Sequence, residues 1–278
     1  MMRRDFSDDP RIHYEHHPSY GAAENWTRAR SYNNPNATYV NWLMDDDLFM
    51  PDKIALMMDA FFAHPDLSIV TSYRECIDAN GNKLPDISST KPIAQEATKF
   101  NGEEIGTAIL THMTNFIGEP TTALLRKEFL LDGHDLGFSG KEGKYHISDF
   151  PTWLRLLGQG NMMYFPTPLS KFRMHKGNDQ LRYKTQIYGF ICWALTIREV
   201  IERNEYLHDL NTRRKTIAQW LCTAGHIFRI ATMIPEVWEG TEFHDFLCVF
   251  AGMSEALQND CRIDFAIDTS LVLQMDEG

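Results

Sequence analysis

Three consecutive carboxylates, Asp45-Asp46-Asp47, follow directly on the β-forming, apolar run Tyr39-Val40-Asn41-Trp42-Leu43-Met44. Leu48-Phe49-Met50-Pro51 comes next and opens a segment patterned as an amphipathic helix. Adjacent like charges repel, so a strand end is a costly place for three of them unless a cation sits there. Hard divalent cations take oxygen ligands, and Mg²⁺ or Mn²⁺ typically combines one or two protein carboxylates with substrate phosphates. In open α/β sheets ligands collect at the carboxyl ends of strands, where such a triplet would stand. A solvated acidic turn beside a helix N-terminus accounts for the triplet equally well when it is taken alone.

The 278 residues suit one large domain or a domain with an appendage. A net charge of −11 and the lack of any Lys/Arg-rich stripe argue against nucleic acid as a partner. An acidic chain can still hold an anionic nucleotide where a metal supplies local positive charge. The five cysteines (Cys76, Cys192, Cys222, Cys248 and Cys261) are scattered without paired-ligand spacing and read as free thiols of a reducing compartment. No apolar run reaches the length of a membrane span, and Met1-Met2-Arg3-Arg4-Asp5 opens no signal-type region, so the cytoplasm is the expected location.

Along the chain, Arg11 to Tyr14 reads as a short strand, Gly21 to Arg30 as a helix start, and Tyr39 onward as the strand into the triplet. Pro51-Asp52 fits the first turn of a helix whose packed face would be Ile54, Met58, Phe61 and Phe62. Leu67 to Tyr73 is the next strand, and the alternation predicts βαβ pairing in a parallel sheet. Gly102 to Met113 should be helical, and Asn115 to Arg126 an apolar strand entered through Gly118-Glu119-Pro120. Leu131 to Lys144 is glycine-rich and predicts a mobile loop. Asp149 falls at or near a helix N-terminus, with Ser148 as cap and Pro151 in the first turn. Met162 to Phe165 predicts a strand broken by Pro166 and Pro168, and the pattern from Leu181 onward is helical.

In order, Asp9-Pro10-Arg11-Ile12, Gly21 with Asn25, Tyr39-Val40 into the triplet with Pro51-Asp52-Lys53-Ile54, His64-Pro65-Asp66, Ile77-Asp78 with Gly81, Ile117-Gly118-Glu119-Pro120 with Arg126, Asp149 with Trp153-Leu154-Arg155-Leu156, and Phe172-Arg173 with His175 resemble a family-2 glycosyltransferase, the inverting GT-A type. The likeness covers roughly residues 8 to 180, and it rests on order and spacing rather than on any single motif.

The resemblance implies an α/β fold of the GT-A kind, a Rossmann-like, mostly parallel sheet flanked by helices over residues 1–180, with a helical extension over 181–278. It implies a divalent metal, Mn or Mg, and a nucleotide-sugar donor, UDP-linked. Asp46 would be the direct metal ligand, Asp47 would support the metal site, and His175 would stand near the metal and diphosphate. Asp45 would face the donor ribose, and Gly21 and Asn25 the nucleotide. Asp149 would be the general base that activates the acceptor hydroxyl of a saccharide, a lipid-linked saccharide or a protein. Trp153 would offer an aromatic face to the acceptor or else be a buried helix tryptophan. A peripheral membrane location is compatible with such acceptors.

Members of that family open with a strand, a helix and a second strand ending in an aspartate, for which these residues have no counterpart. The expectation is therefore a sheet short of those strands, with catalysis dependent on whether such a unit precedes Met1. Two other classes compete. A phosphatase of the D-x-D-x-[TV] kind would need Thr or Val where Phe49 stands. A non-catalytic module would dock a partner on the aromatic-rich tail that holds Phe190, Trp193, Trp220, Phe228 and Trp238.

Overall fold

The computed structural model describes residues 9–17, 28, 34–130, 139–140, 143–144, 149–175 and 182–267. In chain order the described elements are β1 (Tyr39–Val40), β2 (Leu48–Phe49), α1 (Lys53–Ala63), β3 (Leu67–Ile77), β4 (Thr98–Phe100), α2 (Gly102–His112), β5 (Leu124–Arg126), β6 (Ser139–Gly140), β7 (Gly143–Lys144), α3 (Asp149–Leu157), β8 (Asn161–Arg173), α4 (Tyr183–Glu202), α5 (Leu210–Met233) and α6 (Thr241–Ala256). The main sheet runs β1-β5-β3-β8-β2, with β4 on β8 as well, while β6 and β7 pair with each other.

This is a mixed α/β architecture, but the sheet is not mostly parallel. Among the described residues only β3 and β8 run parallel, and the β1–β5, β3–β5, β2–β8 and β4–β8 pairings are antiparallel. The acidic segment and β3 therefore do not form a simple βαβ unit: β8 lies between β2 and β3, and β5 lies between β1 and β3. Hydrophobic periodicity reports which residues face a core, not which strand sits alongside, and that is why the parallel expectation overreached.

Both faces of the sheet are covered, as strand alternation requires. Ile69, Leu125 and Met162 enter one core, while their neighbours Val70, Leu124 and Met163 enter another. The smaller core is closed by Met57, Ala60 and Phe61 of α1. The larger one continues through α2 and α3 into α4, α5 and α6, so the helical tail shares its core with the sheet. Ile187, Ile191, Leu195, Val200, Ile217 and Trp220 are buried there, as their spacing predicts. None of the five cysteines is paired. Among the described residues no helix is long and apolar enough to cross a membrane.

Several local expectations need correction. Residues 12–17 form no strand, and the strand expected over Asn115 to Arg126 is confined to Leu124–Arg126. The prolines do not break β8, which runs from Asn161 to Arg173. Ser72 pairs with Phe165 and Arg74 with Ser170, so the segment holding Pro166 and Pro168 is accommodated as an irregularity in the ladder, one of the few places a sheet tolerates proline. The face of α1 is also turned by one residue: Lys53, Met57, Ala60 and Phe61 are buried, whereas Ile54 and Phe62 are 41% and 70% exposed. Apolar side chains crowd both sides of this helix, so their spacing alone does not choose the face. Most of the glycine-rich stretch and Ser148 lie outside the described residues.

Burying Lys53 has a consequence. Its ammonium donates to the Thr122 carbonyl at 2.7 Å, approaches Met57 Sδ at 3.4 Å and lies 5.3 Å from the Phe49 ring centre. No carboxylate is among these partners, and burial pulls its pKa down to about 7. Between pH 7 and the usual lysine value the unfolded chain binds the extra proton, so this residue's contribution to stability rises with pH. Lys53→Met should therefore be more stable than the native chain at pH 6, by about 1–3 kcal/mol. That advantage should vanish by pH 10 in denaturant titrations.

Candidate functional site

The acidic loop is held from two sides. On one side, the pairing of Leu48 with Lys171 and Phe49 with Ser170 brings the end of β8 alongside the triplet. Asp47 is buried, and its Oδ1 accepts the backbone N–H of Arg173 at 3.0 Å. The Asp46 carbonyl accepts Arg173 Nε at 2.7 Å, and Asp46 Oδ2 lies 3.1 Å from His175 Nε2. Arg173 also donates to the carbonyls of Asp78 and Ala79, so one guanidinium ties the triplet to the turn after β3. Asp45 is exposed.

The other side is the turn of residues 115–122. Asn41 Nδ2 donates to the carbonyls of Pro120 and Thr121, and the Met44 N–H donates to Thr121 Oγ1 at 3.0 Å. Burial pushes Asp47 up to about 6; its bonds from Thr121 and Arg173 oppose this, and the charges of Glu119 and Asp46 add to it.

The same turn reaches Asp149, the first residue of α3. Asn115 Nδ2 donates to Asp149 Oδ2 at 3.0 Å, and Asp149 Oδ1 accepts the N–H of Phe150 at 2.8 Å. Burial is the chief cause that pushes Asp149 up to about 6; Glu119 pushes the same way, while the Phe150 N–H and Arg74 oppose. One carboxylate, Glu119, thus acts on both Asp47 and Asp149. Through space and through the turn, the triplet and Asp149 are neighbours of a single ion pair, Arg74 Nε to Glu119 Oε2 at 2.6 Å.

That turn is shaped by glycine and by buried polar groups. Gly118 has φ +103°, and a Cβ there would come within 2.8 Å of Arg74 Cζ and Thr122 Oγ1. The Gly118 N–H and carbonyl are both bound by the Asn115 amide, and the carbonyl also accepts Trp153 Nε1 at 2.9 Å. Trp153 is wholly buried, so it is a core residue that props the turn rather than a face for an acceptor.

Of the sequence-predicted residues, Asp46, Asp47 and His175 come together, Asp45 sits on their exposed edge, and Asp149 stands at the far end of the 115–122 turn. Gly21 and Asn25 lie outside the described residues. Arg74, Asn115, Glu119, Thr121 and Arg173 were not singled out as site residues by sequence reasoning. Arg74 carried a usable signal, since a charge inside an apolar strand needs a partner; Asn115 and Thr121 carried none.

Among the described residues no group of three or more His, Cys, Asp or Glu side chains stands ready to hold a metal ion. The 3.1 Å between Asp46 Oδ2 and His175 Nε2 nevertheless suits two ligands on adjacent octahedral positions, which at bond lengths of 2.0–2.1 Å lie about 3 Å apart. A divalent cation would fit these residues if diphosphate and water supplied its remaining ligands. No protein-family model and no curated protein matches the chain.

Three substitutions test this geometry. Gly118→Ala should destabilise the chain by at least about 2 kcal/mol, because strain and overlap add. Gly81→Ala, also at positive φ but with no atom near its Cβ, should cost only about 1 kcal/mol. Between pH 4 and 6 the folded chain binds the extra proton at Asp47, so that residue's contribution falls as pH rises. Asp47→Asn should therefore gain on the native chain by about 1–3 kcal/mol across that window, read from unfolding midpoints at pH 4 and 7.

Proposed function

We propose that this chain is a metal-assisted, inverting glycosyltransferase of the GT-A, family-2 kind, which moves a sugar from a nucleotide-diphosphate donor, UDP-linked, to an acceptor hydroxyl. The observation that carries this reading is the turn of residues 115–122, which bonds Asp149 at one end through Asn115 and the acidic loop at the other through Thr121.

The chemistry follows from the two ends. An alcohol is a poor nucleophile until a carboxylate takes its proton as it attacks. Asp149 is that base: near neutral pH it is ionised, yet its elevated pKa keeps it a stronger proton acceptor than an ordinary carboxylate. The acceptor oxygen bonds to the anomeric carbon while the bond from that carbon to the diphosphate oxygen breaks. A single displacement from the opposite side inverts the configuration, and the proton stays on Asp149.

Asp46 and His175 are the residues that would hold Mn²⁺ or Mg²⁺, with Asp47 beneath them as an anchor to Arg173. The bound cation would offset the charge that builds on the departing diphosphate. Exposed Asp45 is placed by the reading toward the donor ribose. A saccharide, a lipid-linked saccharide or a protein would supply the acceptor hydroxyl.

The test is nucleoside-diphosphate release and sugar transfer with a panel of UDP-sugars and Mn²⁺. Asp149→Asn should lower turnover by about 10²–10⁴-fold with little change in donor affinity. In the native chain kcat/KM should fall below pH 6 as Asp149 takes up its proton. His175→Ala should raise the Mn²⁺ concentration needed for half-maximal activity. Unchanged turnover in both Asp149→Asn and Asp46→Asn would overturn the assignment of these residues, and no release or transfer from any donor would overturn the reading and leave a non-catalytic module in its place.

A further inference from the structure

A cavity of about 220 Å³ lies between the C-terminal end of α2, one face of α4, and α5. It is lined by Met113, Thr185, Gln186, Gly189, Phe190, Trp193 and Thr223. The α4 residues among these recur at spacings of three and four, so they form one stripe of that helix. Among the described residues no charged side chain lines it. Two of its polar groups are engaged within the protein: Thr223 Oγ1 donates to the Gln219 carbonyl at 2.7 Å, and Gln186 Oε1 lies 2.9 Å from His226 Nε2. What the cavity offers a ligand is therefore aromatic faces, a thioether and methyl groups.

Its position links it to Asp149. Trp193 stacks on Phe150 with ring centres 3.9 Å apart and planes 11° off parallel, and Phe150 directly follows Asp149. On the α2 side, Met113 is two residues from Asn115, whose amide bonds the Asp149 carboxylate. Two of the lining residues thus stand one contact or two residues from the groups that flank Asp149.

We infer that this cavity takes the apolar alkyl or aryl portion of the acceptor whose hydroxyl meets Asp149, an inference that rests on the catalytic reading of Asp149. A free sugar does not suit it, because few polar atoms remain there to meet a ring of hydroxyls, and an unmet hydroxyl is costly to bury. The volume is below the roughly 300–1,000 Å³ of pockets that enclose drug-sized ligands, so it accommodates one ring or a short chain. Acceptor preference then follows from burial of apolar surface rather than from hydrogen bonding.

The experiment compares methyl, butyl and hexyl β-D-glucoside, all below micellar concentration, in ligand-observed NMR titrations of the full chain. Affinity should rise by about three- to fourfold for each added methylene. Thr223→Trp and Thr185→Trp, which fill the cavity from two different helices, should each abolish that dependence on chain length. Equal affinity for the methyl and hexyl compounds, or a dependence that survives both tryptophan variants when they are folded by circular dichroism, would overturn the inference. Sugar transfer to the same glucosides separates this claim from the catalytic one: binding that rises with chain length but is followed by no transfer would support the cavity and overturn the reading of Asp149.

Discussion

The ion pair between Arg74 and Glu119 is the constraint on which the site depends. Arg74 is only 3% exposed and projects from the second half of β3, where an unpaired charge would be very costly. Glu119 answers it from the turn of residues 115–122, and the positive φ of Gly118 brings the backbone against the guanidinium. With this pair in place, Thr71 Oγ1 can donate to the Ile117 carbonyl and Lys53 to the Thr122 carbonyl, and the turn is pinned from three directions. Its outer edge then presents Asn115 to Asp149 and Thr121 to the acidic loop. The negative charge of Glu119 keeps both Asp47 and Asp149 harder to ionise, while Arg74 limits the effect on Asp149.

The sheet supplies the second half of the arrangement. β8 passes its prolines through an irregular stretch and regains register with β3 at Ser170, so its last residue, Arg173, and His175 just beyond it arrive beside the triplet. A strand that stopped at Pro166 would leave Asp46 without His175 and Asp47 without the Arg173 N–H. The two cores on either side of the sheet hold this register firm, because a slip of one residue would exchange Ile69 with Val70 and Met162 with Met163. The helical tail belongs to the larger core, and through the Phe150–Trp193 stack it reaches the N-terminus of α3.

Much of this was legible in the residues, and the failures have physical causes. Helix α2 was legible over Gly102 to Met113, and α4 and α5 from runs such as Ile187-Ile191-Leu195 and Ile217-Trp220-Leu221. The triplet stood out as three adjacent like charges after a strand, whereas Asp149 at a helix start is ordinary by itself and drew its role from the family resemblance. Strand neighbours were not readable: β1 pairs with β5, 85 or more positions onward, and nothing in Tyr39-Val40 names that partner. The buried face of α1 was misjudged because a lysine entered it, its ammonium bonding a carbonyl 69 residues away. Arg74 could have been flagged as a charge within an apolar strand, whereas Glu119 as its partner is a tertiary fact.

The central claim is that a cation held by Asp46 and the carboxylate of Asp149 face the same small volume across the 115–122 turn. Paramagnetic broadening by Mn²⁺ in the presence of UDP tests it most directly, with the side-chain amide of Asn115 as the reporter beside Asp149. This signal should broaden in the native chain, still broaden in Asp149→Asn, and stay sharp in Asp46→Asn. A sharp Asn115 signal with Mn²⁺ and UDP bound, or broadening that survives Asp46→Asn, would contradict it.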